Sequence, residues 1–178
     1  MAKLLSVRSI NKQSGLFEIW CRLSGQLNKY RDDFTLADII VSLPPFVTTS
    51  AYSQDAVLRI KTQDQASLKD RYQQIFLREW EQRKEELKTR FGIQSWEAAA
   101  YNRTVEKRKL LHFGESKNGG LKVLFSDYKG REIAYIWMRG SATEPVFRIM
   151  ADAEGTDNQF ERYLLNWQRS MIIQADEI

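Results

Sequence analysis

One cysteine, one histidine and no long apolar run set the first limits on this 178-residue chain. The lone Cys21 excludes an intrachain disulfide framework and suits a reducing compartment, so the cytoplasm is the expected location. His112 stands between Leu111 and Phe113, where a packed or surface residue is expected rather than a general base. No segment approaches the ~20 consecutive apolar residues that a membrane-spanning helix needs. Residues 1–8 lack the apolar stretch of a secretory signal, so no membrane partner is expected. A strong charge bias is missing too: 27 basic residues are interspersed with 23 acidic ones, for a net charge of +4. That balance suits an anionic ligand without by itself indicating nucleic acid.

What is present is a globular composition, 43% hydrophobic and 28% charged, in a chain long enough to bury a core. Apolar residues recur at helical spacing over 16–27, with Ser14 as a candidate cap. A second short helix over 36–41 is expected, capped by Asp33 or Thr35 and stopped by Pro44-Pro45. Residues 57–62 alternate like a half-buried strand. Asp64 then caps a long helix over 65–90, with Leu68, Tyr72, Ile75, Phe76, Trp80, Leu87 and Phe91 on one stripe. Glu79 with Arg83 and Glu86 with Arg90 form i,i+4 pairs on its other face, and Gly92 suits the C′ position.

Residues 93–111 are ambiguous; Ser95 could cap a short helix through Ala98-Ala99-Ala100, and Arg103, Lys107, Arg108 and Lys109 form a basic cluster. Segments 121–125 and 133–137 flank a turn at Asp127-Tyr128-Lys129-Gly130 and read as a hairpin. Residues 146–151 form another strand. Thr156 with Gln159 resembles a capping box, followed by a terminal helix with Phe160, Tyr163, Leu164, Trp167 and Met171 facing inward. This order predicts an α+β fold: a four-stranded, mainly antiparallel sheet carrying a long helix and a C-terminal helix, plus N-terminal helices.

Between the apolar run 132–138 and the strand at 146 lies Arg139-Gly140-Ser141-Ala142-Thr143-Glu144-Pro145. Guanidinium groups, hydroxyls and backbone N–H groups beside small side chains are what a phosphate dianion recruits. The loop resembles the phosphate-binding loop of the α-D-phosphohexomutases, the phosphoglucomutase and phosphomannomutase family, which typically runs Arg-Pro-Ser-Gly-Thr-Glu-Pro. Leu43-Pro44-Pro45-Phe46-Val47-Thr48-Thr49 likewise resembles the family's Leu-Pro-x-Tyr-x-Thr-Thr entry to its fourth domain. Gly140 departs from the usual Pro, and Ala142 from the usual Gly or Asn.

The resemblance implies a C-terminal phosphate-binding domain over 47–178, with an insertion around 78–120, preceded over 1–46 by the helical tail of another domain and a linker. It implies that Arg139, Gly140, Ser141, Ala142, Thr143 and Arg148 bind the phosphate of a hexose phosphate. The family's phosphoserine loop, magnesium loop and sugar-reading loop have no counterpart here. Catalytic and metal-binding residues are therefore not expected in the chain, and Asp152 with Glu154 does not make a magnesium site. The expectation is a fragment of a longer mutase, inactive alone, with magnesium and the remaining domains supplied by the rest of that enzyme. Two other readings stand beside it. One is a nucleic-acid module using the basic cluster, Tyr135 and Trp137, although aromatics embedded among aliphatics read better as core. The other is an interaction module built on the long helix.

Overall fold

A computed structural model describes residues 16–31, 33–102, 104–141 and 146–178. The chain divides into two compact units at the Pro44/Pro45 bond. In the first, α1 (Leu16–Leu23) and α2 (Leu36–Ser42) carry a small core of Phe17, Cys21 and Phe34. Thr35 and not Asp33 caps α2: the Asp38 N–H donates to the Thr35 hydroxyl and the Thr35 N–H donates back to Asp38.

The second unit is α+β, with a sheet of seven antiparallel strands rather than four. They are β1 (Phe46–Thr48), β2 (Val57–Arg59), β3 (Ser95–Asn102), β4 (Val105–Arg108), β5 (Gly120–Ser126), β6 (Glu132–Gly140) and β7 (Val146–Glu154). The sheet order is β1-β7-β6-β5-β3-β4, and β2 also pairs with β7. Two helices complete the unit, α3 (Gln65–Phe91) and α4 (Gln159–Glu177).

The long helix starts and stops where local chemistry directs it. The Asp64 carboxylate accepts from the Ala66 and Ser67 N–H groups. Gly92 closes the helix in the left-handed region at φ 75°, with its N–H donating to Lys88. Leu68, Tyr72, Ile75, Phe76 and Leu87 are buried on its inner stripe. The Glu79–Arg83 and Glu86–Arg90 pairs form on its outer side, at 2.8 and 3.5 Å. The terminal helix begins at Gln159 with Asn158 at its N-cap, later than a Thr156 capping box would start it; Asp157 accepts from the Gln159 N–H.

The stretch 95–102 is a strand, not the short helix that Ser95 and three alanines suggest. Trp96, Ala98 and Ala100 pair in register with Phe125, Val123 and Leu121, so burial against β5 overrides the helical preference of alanine. The presumed insertion thus contributes half of α3 and two strands of the sheet. Inward side chains of β3, β5, β6 and β7 form one core with α3 and α4. Within it Phe76 meets Trp96 edge-on at 4.9 Å and lies 5.6 Å from Trp167.

Strand alternation assigns the opposite face. On β6 the buried Ala134, Ile136 and Met138 point to the helices, so Tyr135, Trp137 and Arg139 point away from them. Tyr135 and Trp137 are therefore half-buried residues of the sheet's other face, not core. Among the described residues no helix is long and apolar enough to cross a membrane.

Candidate functional site: a cationic concavity at one end of the sheet

Arg139 is the penultimate residue of β6 and stands directly opposite Arg148 on β7. Directly opposed residues share a face with Cα atoms about 4.5–5.5 Å apart, so two guanidinium stems rise side by side. Both residues are exposed, while Phe147 and Ile149 are buried on the helix side. Among the described residues neither arginine has a hydrogen-bond or ion-pair partner in the structure. Opposed like charges on a sheet repel, and an anion bridging them would turn that repulsion into attraction.

Gly140 ends β6, and Ser141 opens the connection to β7. Gly140 is buried beside Phe147, and a Cβ there would come within 2.2 Å of the Gln65 amide carbon, so glycine lets that side chain lie across the strand end. The Gln65 Nε2 donates to the Ser141 carbonyl at 3.4 Å, and the Ser141 N–H donates to Val146 at 2.8 Å. The chain is thereby pinned on either side of the loop. Ala142, Thr143, Glu144 and Pro145 lie outside the described residues, as does Arg103 of the basic cluster.

Arg139 and Ser141 open onto a concavity of about 1120 Å³, whose walls include Lys117, Lys122, Tyr135 and Trp137. Arg148 stands beside Arg139 but does not line it. Among the described residues the only carboxylate lining the concavity, Glu115, forms an ion pair with Lys107. The Lys122 ammonium lies 4.0 Å from the Tyr135 ring centroid and 4.8 Å from that of Tyr101. Burial pulls the Lys122 pKa down, with Arg108 acting the same way and three acidic side chains opposing. The same burial pushes the Tyr101 hydroxyl up to about 12, helped by a hydrogen bond to Glu106.

Farther along this face the charge changes sign. Asp152 on β7 accepts from the Thr48 hydroxyl, and Glu154 pairs with Arg131 at 2.9 Å. Two members of the basic cluster are paired with acids: Lys107 with Glu115, and Arg108 with Glu97, Glu106 and Glu132. Among the described residues no group of acidic, histidine and cysteine side chains could hold a metal ion.

Sequence patterns missed the contribution of Lys69. It lies on α3 between stripe residues Leu68 and Tyr72, and its ammonium is fully buried, donating to the carbonyls of Lys117 at 2.5 Å and Gly119 at 2.7 Å. Burial, and secondarily the charge of Arg139, lower its pKa to about 8. Its spacing three residues before Tyr72 and seven before Phe76 was the available signal. No known protein family and no curated protein matches this chain.

Proposed function

We propose that the unit beginning at Pro45 holds the phosphate group of a hexose phosphate, as the C-terminal domain of a phosphoglucomutase or phosphomannomutase does. The observation that carries this reading is the register of Arg139 with Arg148, two cations that have no acidic partner among the described residues, at the mouth of a small-residue loop. Arg139 and Arg148 bind the dianion by charge-assisted, bidentate-capable hydrogen bonds, and the loop from Gly140 through Ala142 and Thr143 supplies backbone and hydroxyl donors around Ser141. In this reading the chain positions the phosphate that is not reacting. Binding energy gathered there orients the sugar and favours closure over it. The phosphoryl transfer itself belongs to a phosphoserine and a magnesium ion on other domains of a longer polypeptide, and the chain alone interconverts no hexose 1- and 6-phosphates.

The test is calorimetric titration of the chain with glucose 6-phosphate and with inorganic phosphate. Wild type binds both, and Arg139→Ala weakens both by about 1.5–3 kcal/mol, the loss of a hydrogen bond to a charged group. Equal affinities for the two proteins would remove Arg139 from phosphate binding. Steady mutase turnover by the chain alone would overturn its purely binding role.

The outward placement of Tyr135 and Trp137 favours one second reading, single-stranded nucleic acid lying across the open face. Asp152 and Glu154 farther along that face repel a long polyanion, which ranks this reading lower. Oligonucleotide affinity that falls steeply with salt and is lost in Trp137→Ala would reverse the order.

A further inference from the structure

Lys69 is an ammonium with no exposed surface and, among the described residues, no carboxylate partner; it donates to two backbone carbonyls. Burying such a charge costs free energy that two neutral acceptors do not return, and a methionine of similar length would pack in the same space without that cost. The carbonyls it holds belong to the 117–119 segment, which lines the cavity together with Arg139. The rest of that segment is bolted to the same helix. Asp70 accepts from the Gly114 N–H at 2.8 Å, and Gln73 both donates to the Leu111 carbonyl and accepts from the Phe113 N–H. Lys117, at φ 46°, turns the chain so that its carbonyl points in at Lys69 while its side chain is exposed.

We propose that Lys69 is the positioning residue of the anion site: it fixes the 117–119 wall that lines the cavity with Arg139 and adds a buried positive charge to that site. The proposal rests on the phosphate reading above. The charged groups on the elements around Lys69 are Arg139 on β6, Glu115 and Lys117 on the wall segment, and Asp70 on its own helix. Of these charges it is Arg139 that lowers the Lys69 pKa, while Glu115 is paired with Lys107 and Asp70 accepts from the Gly114 N–H. An anion held by Arg139 relieves the repulsion between the two cations, so binding and protonation of Lys69 favour each other. Affinity for an anion therefore falls as pH passes the Lys69 pKa of about 8.

The probe is sulfate, which does not titrate near neutrality, added to the full chain and followed by calorimetry between about pH 7 and about pH 9. Wild type shows a several-fold drop in affinity across that range. Lys69→Met binds more weakly at the lower pH and shows no step. Lys69→Gln, which keeps a donor for the wall without the charge, also loses the step and serves if the methionine variant fails to fold. Lys122→Met keeps the step; its loss there would assign the titration to Lys122 and overturn the proposal. A flat wild-type profile, or a wild-type step in both Lys69 variants, overturns it as well. If Arg139→Ala loses sulfate while the Lys69 variants behave as wild type, only the role of Lys69 fails. If wild type binds no sulfate, or Arg139→Ala binds it unchanged, the phosphate reading fails and takes this proposal with it.

Discussion

A lysine among Leu68, Tyr72 and Phe76 couples the stability of the second unit to pH. Folded, Lys69 releases its proton at about 8, against an ordinary 10.5. Between those values the unfolded chain holds more protons than the folded one, so stability rises with pH. The gain amounts to about 3 kcal/mol across the whole interval at 1.36 kcal/mol per unit. Tyr72 and Tyr101 work in the other direction, because burial raises their pKa values and folding keeps them protonated after the unfolded chain has lost those protons. That opposing slope starts near the ordinary tyrosine value of 10.0. The window for Lys69 is therefore about pH 8 to about pH 10. Urea unfolding across this window should show wild type gaining stability relative to Lys69→Met; parallel curves would mean that Lys69 titrates normally. Arg139 makes a contrasting residue-scale prediction. Its replacement by Ala removes a like-charge neighbour of Arg148, so without anions the variant should be no less stable than wild type. Phosphate should raise the melting temperature of wild type and leave that of Arg139→Ala nearly unchanged.

The elements differ in how much of their definition is local. Helix α3 is bounded by Asp64 at one end and Gly92 at the other, and each acts on backbone groups within a few residues. Asp64→Ala should cost about 1 kcal/mol in equilibrium unfolding, the usual worth of an N-cap, while leaving the helix otherwise in place. A loss well under that amount would mean that packing alone sets the helix start. The hairpin of β5 and β6 was equally readable, because Asp127 accepts from the Lys129 and Arg131 N–H groups and closes the turn by itself. The pair β3 and β4 is the opposite case. Every residue of β4 is exposed, and its ion pairs along Arg108 reach Glu97 and Glu132 on other strands. Its charged character suits a sheet edge, where it discourages pairing with another chain.

On the scale of the molecule, the two units own separate cores: Phe17, Cys21 and Phe34 in one, and the continuous cluster from Leu58 to Ala175 in the other. Residues 45–178 expressed alone should therefore unfold cooperatively and bind phosphate as the full chain does. A molten far-ultraviolet-only signature from that piece would contradict the independence of its core.

The sequence by itself determined what short-range chemistry controls: the α+β class, the cap of α3, the left-handed stop at Gly92, and the alternation that makes 132–138 a strand. Tertiary structure decided the rest. Whether three alanines become helix or strand depended on Phe125, Val123 and Leu121 lying opposite Trp96, Ala98 and Ala100. Which face Tyr135 and Trp137 occupy depended on where the helices packed, since alternation separates two faces but does not say which one is covered. The meeting of Arg139 with Arg148 across two strands, and of the Lys69 ammonium with carbonyls 48 and 50 residues away, came from long-range register. Contacts at such separations form only when the whole core closes, because the elements that hold them do not interact until then.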